Sequence, residues 1–385
     1  MRTIFVTVDP AFPPVSGAEL RAWQNVKAAS ELGQVLLLSF GRPKPHSPPP
    51  GIAVGHIRGM HPADIWRSDF DVTYPNETLA DFRAIAESFK PDVVVLESLP
   101  LANLVGTVKV RTRALVIDLH NVESDLAAQA VQIASDSRTR CELQTRVRRI
   151  RETESQAAAA ADTIWVCSSQ DRERLIENGL NVKPIHVVPN GIPRGDSVQA
   201  WPPRDNYRRE PILLFLGHLA YPPNVEGALA LFELMPLVWK RIPGARLILA
   251  GRNPHPAIAR RSQAGRIDLI GNPSSVAPLL SNANFAVLPL QRGGGTRIKA
   301  LEAIAWGLPL VATARAVEGL SLENGIHVTI AETSHEFASA ICDLAENPDR
   351  YESQRIAARR HVLNKFGPDA IRASVHEGLR LALDA

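Results

Sequence analysis

Residues 288–320 read LPLQRGGGTRIKALEAIAWGLPLVATARAVEGL, and this stretch decides which fold the chain can take. The pattern predicts the end of a strand, a glycine turn, a helix, and a second strand that begins at Leu310. A strand, a helix and another strand in this order form the repeating unit of a parallel sheet. The rest of the chain should therefore be organised in the same way.

The glycine turn in this stretch has the features of an anion site. Its glycines carry no side chains, so a ligand can approach the backbone closely. The helix that opens at Thr296 or Ile298 offers unpaired N–H groups and the positive end of its dipole, and two cationic side chains add full charges. We expect a phosphate site made by Gly293, Gly294, Gly295, Thr296, Arg297 and Lys299.

Glu302 lies three residues after Lys299 and faces the same side of the predicted helix. A carboxylate beside a phosphate is unfavourable unless it binds something else, and a pair of ribose hydroxyls is its natural partner. The alternative is that the glycines only allow a tight turn, while Lys299 and Glu302 form a surface pair. Spacing alone leaves both interpretations open.

Composition indicates an ordinary soluble protein of two or three domains. The chain has 385 residues, 45% hydrophobic and 22% charged, and its net charge of +3 gives no indication of nucleic-acid binding. Cys141, Cys167 and Cys342 are scattered, which fits a reducing compartment and predicts no disulfide or zinc framework. The sequence shows no apolar run long enough for a membrane span and no signal peptide, so we expect a cytoplasmic protein.

Short strands alternate with helical stretches along both halves of the chain. This alternation predicts two α/β halves with parallel sheets and with ligand-type turns at the strand ends. The site should lie in the cleft between the halves. The predicted strands are 3–8, 35–40, 92–97, 114–118, 163–167 and 185–188 in the first half, and 212–216, 245–250, 267–270, 285–288 and one from 310 in the second.

Three features of the first half are candidates for function, each with a plainer alternative. Gly17, after Ser16, opens a helix and could face an anion, or Ser16 could simply cap that helix. His120 follows the strand 114–118, where it could orient a sugar or cap the next helix. The arginine-rich helix 137–161 is typical of a solvated face, and the alternative is contact with anionic lipid or with a phosphorylated acceptor.

These residues together resemble the retaining glycosyltransferases of family 4, also called group 1, which have the GT-B fold of two Rossmann-like domains facing across a cleft. The resemblance covers almost the whole chain. In the second half it rests on FLGHLAYPPNVEGALALF, LILAGRNP, DLIGNP, VLPLQRGGGTRIKALEAIAWGLPLVAT and VEGL. In the first half it rests on DPAFPPVSGAE, DLHN, VCSSQDRERL and VPNGI. No single segment is specific to the family, but the order and spacing of all these segments together are.

The resemblance implies a domain plan and a set of roles. It predicts an acceptor domain at 1–192 plus 368–385, with the last helix crossing back to it, a donor domain at 210–367, and a linker at 193–209. It assigns the diphosphate to Gly217, Arg297 and Lys299, the ribose to Glu302, and the base to Arg252 and to the loop from Gly271 to Val276. It assigns the transferred sugar to His120, the phosphate-facing turn to Gly17, and the hinge side of the cleft to Asn190. His218 is also among the residues expected to bind the nucleotide sugar.

The chain departs from the family in two places. Many members carry a sugar-binding glutamate where Gly294 stands, so the glycine loop would have to bind the sugar and phosphate through backbone N–H groups. Many also carry Arg and Lys after the glycine of the first second-domain strand, where this chain has GHLAYPPN. Arg297 and Lys299 are then expected to replace those cations, with no metal ion required.

The resemblance implies an enzyme that moves a sugar from a nucleoside-diphosphate sugar, with UDP or GDP as the nucleotide, to a hydroxyl acceptor without any cofactor. The setting would be cell-surface polysaccharide, lipid-linked or small-molecule glycosylation, with peripheral membrane contact. A sugar-nucleotide epimerase on the same fold would need acid–base carboxylates, for which the sequence shows no good pair. A non-catalytic sugar-nucleotide binder is the other alternative.

Overall fold

The computed structural model describes residues 1–108, 112–180, 184–193 and 207–385. These divide into two compact units, one made of Met1–Gly191 with Asp369–Ala385 and the other of Ile192–Pro368. Most of the predicted linker, residues 194–206, lies outside the described part of the chain. Each unit is an α/β structure with its own parallel sheet, which confirms the predicted fold class.

The first unit is built on a seven-stranded parallel sheet. Its inner strands are almost wholly buried, which is why the sequence shows them as aliphatic and β-branched runs without polar alternation. The strands are β1 (Arg2–Thr7), β2 (Gln34–Ser39), β3 (Ile52–His56), β4 (Val93–Glu97), β5 (Ala114–Leu119), β6 (Thr163–Val166) and β7 (Ile185–Val187). Their spatial order is β3-β2-β1-β4-β5-β6-β7.

The strand order reverses at β1, which pairs with β2 on one side and with β4 on the other. At such a point the connections leave on opposite faces of the sheet, and a crevice opens at the carboxyl ends of the strands. Glu97 is the last residue of β4, and Asp118 lies next to the last residue of β5. Both carboxylates are therefore placed at this end of the sheet.

The helices of the first unit cover the two faces of this sheet. The side chain of Ser168 accepts a hydrogen bond from the Asp171 amide and caps the helix of residues 169–177. The helices are α1 (Gly17–Ser30), α2 (Pro62–Arg67), α3 (Asn76–Phe89), α4 (Val105–Val108), α5 (Glu123–Ile133), α6 (Ser137–Ala160) and α7 (Ser169–Glu177), and a 3₁₀ turn occupies Leu99–Leu104.

The second unit has a six-stranded parallel sheet with the same kind of reversal. Its strands are β8 (Ile212–His218), β9 (Arg246–Arg252), β10 (Ile267–Gly271), β11 (Phe285–Leu288), β12 (Leu310–Ala312) and β13 (Thr329–Ile330), in the spatial order β10-β9-β8-β11-β12-β13. Its helices are α8 (Pro222–Arg241), α9 (Pro256–Ala259), α10 (Ala277–Asn282), α11 (Ile298–Ala305), α12 (Ser334–Glu346) and α13 (Pro348–Phe366). The reversal lies at β8, between β9 and β11.

The last helix, α14 (Pro368–Asp384), returns to the first unit as predicted. Its apolar face buries Ile371, Val375 and Leu379 in the same core cluster as Phe5 and Val95. Residues four apart lie on one face of a helix, so the spacing of these three residues in the sequence indicates an apolar helix face. Burying each aliphatic side chain of this kind contributes about 2 kcal/mol of stability, which accounts for the packing of α14 against the first unit.

Two strands of the fold were not predicted from the sequence. The sequence of β3, IAVGH, is short, contains a glycine and follows a proline-rich loop, and β13 has only two residues. α8 begins at Pro222, because proline is accommodated in the first turn of a helix. No helix in the described ranges is long and apolar enough to cross a membrane.

Candidate functional site

Three glycines lie side by side at the carboxyl edge of the second sheet. Gly217 of β8 pairs in register with Gly251 of β9, which pairs with Gly271 of β10. Gly251 has φ +153°, and a Cβ there would overlap the Gly217 carbonyl oxygen, so only glycine fits. The absence of side chains leaves this edge of the backbone open to a ligand.

Lys299 reaches this edge from the first turn of α11. Its Nζ donates a hydrogen bond to Asn224 Oδ1 at 2.5 Å, and it lies 5.0 Å from the centre of the Phe215 ring. A Cβ on Gly217 would lie 2.9 Å from Lys299 Nζ, so the glycine provides the room for the ammonium group. The resemblance assigned Gly217 and Lys299 to the same diphosphate, and the structure places the two residues side by side.

The environment of Lys299 weakens its positive charge. Burial, with the nearby positive charge of Arg297, lowers the pKa of Lys299 to about 7. Asn224 is a neutral partner, since its amide oxygen accepts a hydrogen bond but carries no full charge. An anion that bound beside Lys299 would supply the missing opposite charge and raise this pKa.

Arg297 shapes the glycine loop from within. It is only 8% exposed, and its guanidinium donates to the carbonyl oxygens of Gly294 and Gly295. Gly293 has φ +129° and Gly295 has φ +59°, conformations that favour glycine. The structure thus places Arg297 against the backbone of its own loop, whereas the sequence suggested a contact with ligand.

The remaining residues of the predicted phosphate turn lie around the start of α11. The helix begins at Ile298, with Arg297 at its N-cap position and Thr296 buried just before it. Glu302 is half-buried one turn beyond Lys299. The spacing of Lys299 and Glu302 on one helix face therefore holds in the structure.

The strand ends next to Gly217 carry polar side chains. His218 and Arg252 are exposed neighbours in register, and burial together with the Arg252 charge lowers the pKa of His218. The next residue, Asn253, has φ +48°, and its side-chain amide nitrogen lies 3.2 Å from His218 Nε2. Val276 stands at the N-cap of α10, in the loop after Gly271. These residues line the edge where the resemblance places the nucleotide base.

The first unit carries a buried ionic network at the carboxyl ends of β4 and β5. Arg21 of α1 makes two hydrogen bonds to Asp118, of 2.8 and 2.6 Å, and a third of 2.7 Å to the Val188 carbonyl. It also contacts the predicted residue Asn190, whose Oδ1 lies 3.2 Å away. Asn190 is therefore buried within this network, close to the end of the first unit.

Glu97 is the functional candidate that sequence reasoning missed. Its Oε2 lies 3.0 Å from His120 Nε2, while its Oε1 accepts a hydrogen bond from Asn25. Asp118 lies farther away, at 3.9 Å from the same ring nitrogen, and is held by Arg21. Glu97 is thus the residue that orients His120. The sequence feature that could have identified Glu97 is an acidic residue at the end of a buried β-branched strand.

The two carboxylates have opposite protonation tendencies. Burial, with the negative charge of Asp118, raises the pKa of Glu97 to about 7 against the opposing pull of His120. Burial also pushes the pKa of Asp118 upward, but the attraction of Arg21 outweighs it and leaves that pKa below its usual value. Asp118 is therefore a permanent anion, and Glu97 changes protonation near neutral pH.

These side chains also approach the arrangement of a metal site. Glu97, Asp118 and His120 each offer a ligand atom, all within 4.8 Å of one another. The sequence does not indicate this cluster, because Glu97 ends β4 while Asp118 and His120 lie at the end of β5. Both Asp118 oxygens accept hydrogen bonds from Arg21, whose fixed charge opposes a second cation. Arg21 supplies the counter-charge of these carboxylates.

The turn at Ser16 and Gly17 forms a helix cap. Ser16 Oγ accepts from the Glu19 amide, and Glu19 Oε2 accepts from the Val15 amide at 2.9 Å. Gly17 is the exposed first residue of α1. The carboxylate of Glu19 therefore occupies the helix start, which favours the capping alternative over an anion site at Gly17.

Comparison with known proteins gives the same division of the chain. The family model described as glycosyl transferase 4-like domain matches residues 16–191, and that described as glycosyl transferases group 1 matches residues 210–347. A Klebsiella pneumoniae relative, called an uncharacterized 44.6 kDa protein in a cps region, is 26% identical over 144 residues. That match covers 35% of this chain and only 37% of the relative.

Solved structures of similar fold cover nearly the whole chain. Sucrose-phosphate synthase from Thermosynechococcus elongatus has a TM-score of 0.76 at 17% identity, with 98% of each chain covered. Anabaena HepE, solved with UDP-glucose, has a TM-score of 0.69 at 15% identity, with 99% of each chain covered. A trehalose-phosphate synthase from Burkholderia xenovorans has a TM-score of 0.67 at 13% identity, covering 100% of this chain and 99% of that one. With both family models matched in order on two Rossmann-like units, the chain belongs to the GT-B glycosyltransferases of group 1.

Proposed function

We propose that this protein transfers a sugar from a nucleoside-diphosphate sugar to a hydroxyl group of a glycan, lipid-linked or small-molecule acceptor. The observation that carries the proposal is the position of the Lys299 ammonium group. It lies beside Gly217 at the carboxyl end of β8, on the first turn of α11. A glycine edge, a helix N-terminus and a buried cation are together suited to a diphosphate.

The surroundings of Lys299 extend the proposal to the nucleoside. Glu302, one helical turn further along, is placed to accept hydrogen bonds from two ribose hydroxyls. The edge formed by Gly271, Arg252 and His218 provides the surface for the base. Because Anabaena HepE, of similar fold, was solved with UDP and with UDP-glucose, UDP sugars are the first donors to test and GDP sugars the second.

The proposed chemistry follows from where negative charge develops. As the bond between sugar and diphosphate breaks, charge grows on the leaving phosphate, where Lys299 and the N–H groups at the start of α11 stabilise it without a metal ion. The departing phosphate oxygen then takes the proton of the acceptor hydroxyl, which attacks from the same face and retains the configuration. His120, oriented by Glu97, binds the transferred sugar.

Two alternatives to transfer are addressed by particular residues. An epimerase would use a pair of carboxylates as acid and base, and the structure does hold Glu97 and Asp118 near His120. Asp118, however, is committed to Arg21 by two hydrogen bonds, which leaves a single carboxylate of adjustable protonation. A non-catalytic binder would hold the diphosphate through the same residues, so turnover is the property that separates it from a transferase.

Release of nucleoside diphosphate from UDP-, GDP-, ADP- and TDP-sugars tests this function. A transferase releases it faster with a hydroxyl acceptor, and NMR of the product should show the anomeric configuration of the donor. The rate should persist in EDTA. An epimerised nucleotide sugar without diphosphate release would establish the epimerase, and tight binding without turnover would establish the binder.

The exposed side of α6 supports a further element of the proposal, namely peripheral contact with the inner face of the cytoplasmic membrane. Arginine side chains attract anionic lipid at about 1 kcal/mol each near the surface. Sedimentation with vesicles containing phosphatidylglycerol should decrease when these arginines are changed to glutamine, and equal sedimentation would count against membrane contact. The exposed arginines are Arg138, Arg140, Arg148, Arg149 and Arg151.

A further inference from the structure

A small pocket in the first unit contains a hydroxyl group without a partner. Ser98, directly after β4, is only 9% exposed, and its Oγ makes no hydrogen bond to any residue in the described part of the chain. It lines a pocket of about 40 Å³ together with Glu97 and His120. A buried hydroxyl normally finds a partner, so this one is placed for a group that the chain itself does not provide.

The backbone at Ser98 gives an independent indication. Its φ is +116° and its ψ is +154°, a region that essentially only glycine adopts freely. Glycine would relieve this strain, and yet the chain carries serine. Strained residues of this kind cluster at ligand sites, where the side chain must be held in one place.

Trp66 forms the outer wall of the same pocket. It is 50% exposed, and its Nε1 donates a hydrogen bond of 2.8 Å to Asp9 Oδ2, which fixes the orientation of the ring. An exposed aromatic face held rigid by a carboxylate packs well against the C–H face of a sugar ring. The pocket itself has room for one hydroxymethyl group or a pair of hydroxyls, so the rest of the ring would lie outside, across Trp66.

The charges around the pocket select against acidic ligands. Its walls include the carboxylates of Asp9, Glu19 and Glu97, while none of the described lining residues is lysine or arginine. Lys44 is paired with the carboxylate of Glu19, and Arg21 is paired with Asp118. A carboxylate or phosphate on the ligand would meet negative charge without compensation.

We propose that this pocket is a carbohydrate subsite, which binds the hydroxyl edge of an uncharged or amino sugar between Ser98 and Trp66 and excludes uronic acids and sugar phosphates. The proposal rests on the glycosyltransferase function proposed above and names its substrate class. The sugar is either the acceptor or the transferred residue, which share this chemistry.

Steady-state kinetics of Trp66→Ala and Ser98→Gly test the subsite. Glycine suits the backbone at 98, so Ser98→Gly should fold at least as well as the native chain while losing the hydroxyl. Each variant should raise one KM at least tenfold. A rise in the acceptor KM assigns the pocket to the acceptor, and a rise in the donor KM, measured by donor hydrolysis without acceptor, assigns it to the transferred sugar. Ile176→Ala, at an exposed site on α7, is the control.

Direct binding separates this subsite from the proposed function. The chain has six tryptophans, so the fluorescence change on titration with methyl glycosides is compared between the native chain and Trp66→Phe. Methyl hexosides or hexosaminides should change the Trp66 signal, and methyl glucuronide should not. If no nucleotide sugar is turned over, this titration still decides the subsite. Equal KM values in the variants, or preference for the glucuronide, would overturn it.

Discussion

Asn224 Oδ1 accepts the hydrogen bond of Lys299 Nζ at 2.5 Å, although the two residues belong to different helices, α8 and α11. Asn224 in turn donates to the His218 carbonyl at 2.9 Å, so its side chain is fixed from both ends. A neutral amide therefore positions Lys299 at the end of β8 and leaves its charge for a ligand.

Adding one methyl group at Gly217 should displace the ammonium group. The Cβ of Gly217→Ala would lie 2.9 Å from both Lys299 Nζ and Asn224 Nδ2. A displacement of about 1 Å at a catalytic group costs up to about 100-fold in rate, so kcat/KM for the donor should fall about 10- to 100-fold while the fold is kept.

The matched control for this change is Gly106→Ala. Gly106 lies in α4, a Cβ there meets nothing within 4 Å, and alanine is the better helix former. Its kcat/KM should equal that of the native chain. Full activity in Gly217→Ala would show that the position of Lys299 is not critical.

Binding of a nucleoside diphosphate should take up a proton at pH 8. Because the pKa of Lys299 is lowered to about 7, most of the free protein carries it neutral at that pH. The bound anion favours the charged form, so Lys299 should gain nearly one proton. Calorimetric titration with UDP or GDP in buffers of different ionisation enthalpy measures this uptake.

The matching variant for the calorimetry is Lys299→Met, which keeps the length of the side chain and removes the titrating group. Its titration should show no proton uptake. An uptake that persists in the variant would assign the proton to another group.

The protonation of Glu97 should make stability depend on pH. Its pKa of about 7 in the folded chain exceeds the value of about 4.3 expected when unfolded, so between these values only the native state holds the proton. This contribution is complete at low pH and is lost as pH rises through 7, by up to about 4 kcal/mol.

Glu97→Gln mimics the protonated carboxyl and should therefore match the native chain at pH 5 and exceed its stability at pH 8. Urea denaturation at both pH values measures the difference. Glu177→Gln, on the exposed side of α7, should follow the native chain at both. A constant difference between Glu97→Gln and the native chain from pH 5 to pH 8 would contradict the raised pKa.

Most of the fold could be predicted because parallel strands are buried on both faces and leave unbroken aliphatic runs in the sequence. The runs at Val93–Glu97 and Phe285–Leu288 are of this kind. β3 could not be predicted in this way, since a strand at the sheet edge that contains a glycine shows no unbroken aliphatic run. The apolar spacing of α14 predicted an amphipathic helix, but only the resemblance predicted where it packs.

The candidate site was predicted less completely, because its key contacts join distant parts of the chain. Sequence spacing predicted Lys299 and Glu302 on one helix face, but it could not show that Asn224 holds Lys299. The contact of Arg297 with the Gly294 and Gly295 carbonyls depends on the positive φ of the loop glycines, which no local pattern specifies.

The first-unit site shows the same limit. Glu97 ends its strand like many acidic residues at turns, and only the pairing of β4 with β5 shows that it faces His120.

The rate of nucleoside-diphosphate release from the preferred nucleotide sugar, with acceptor present, tests the central claim when the native chain is compared with Lys299→Met. If Lys299 stabilises the leaving diphosphate, its loss should reduce kcat about 10²- to 10³-fold, as removal of one donor does in comparable sites. The circular dichroism and melting temperature should stay close to those of the native chain. Equal kcat in the folded variant would contradict the assignment of this site to the diphosphate.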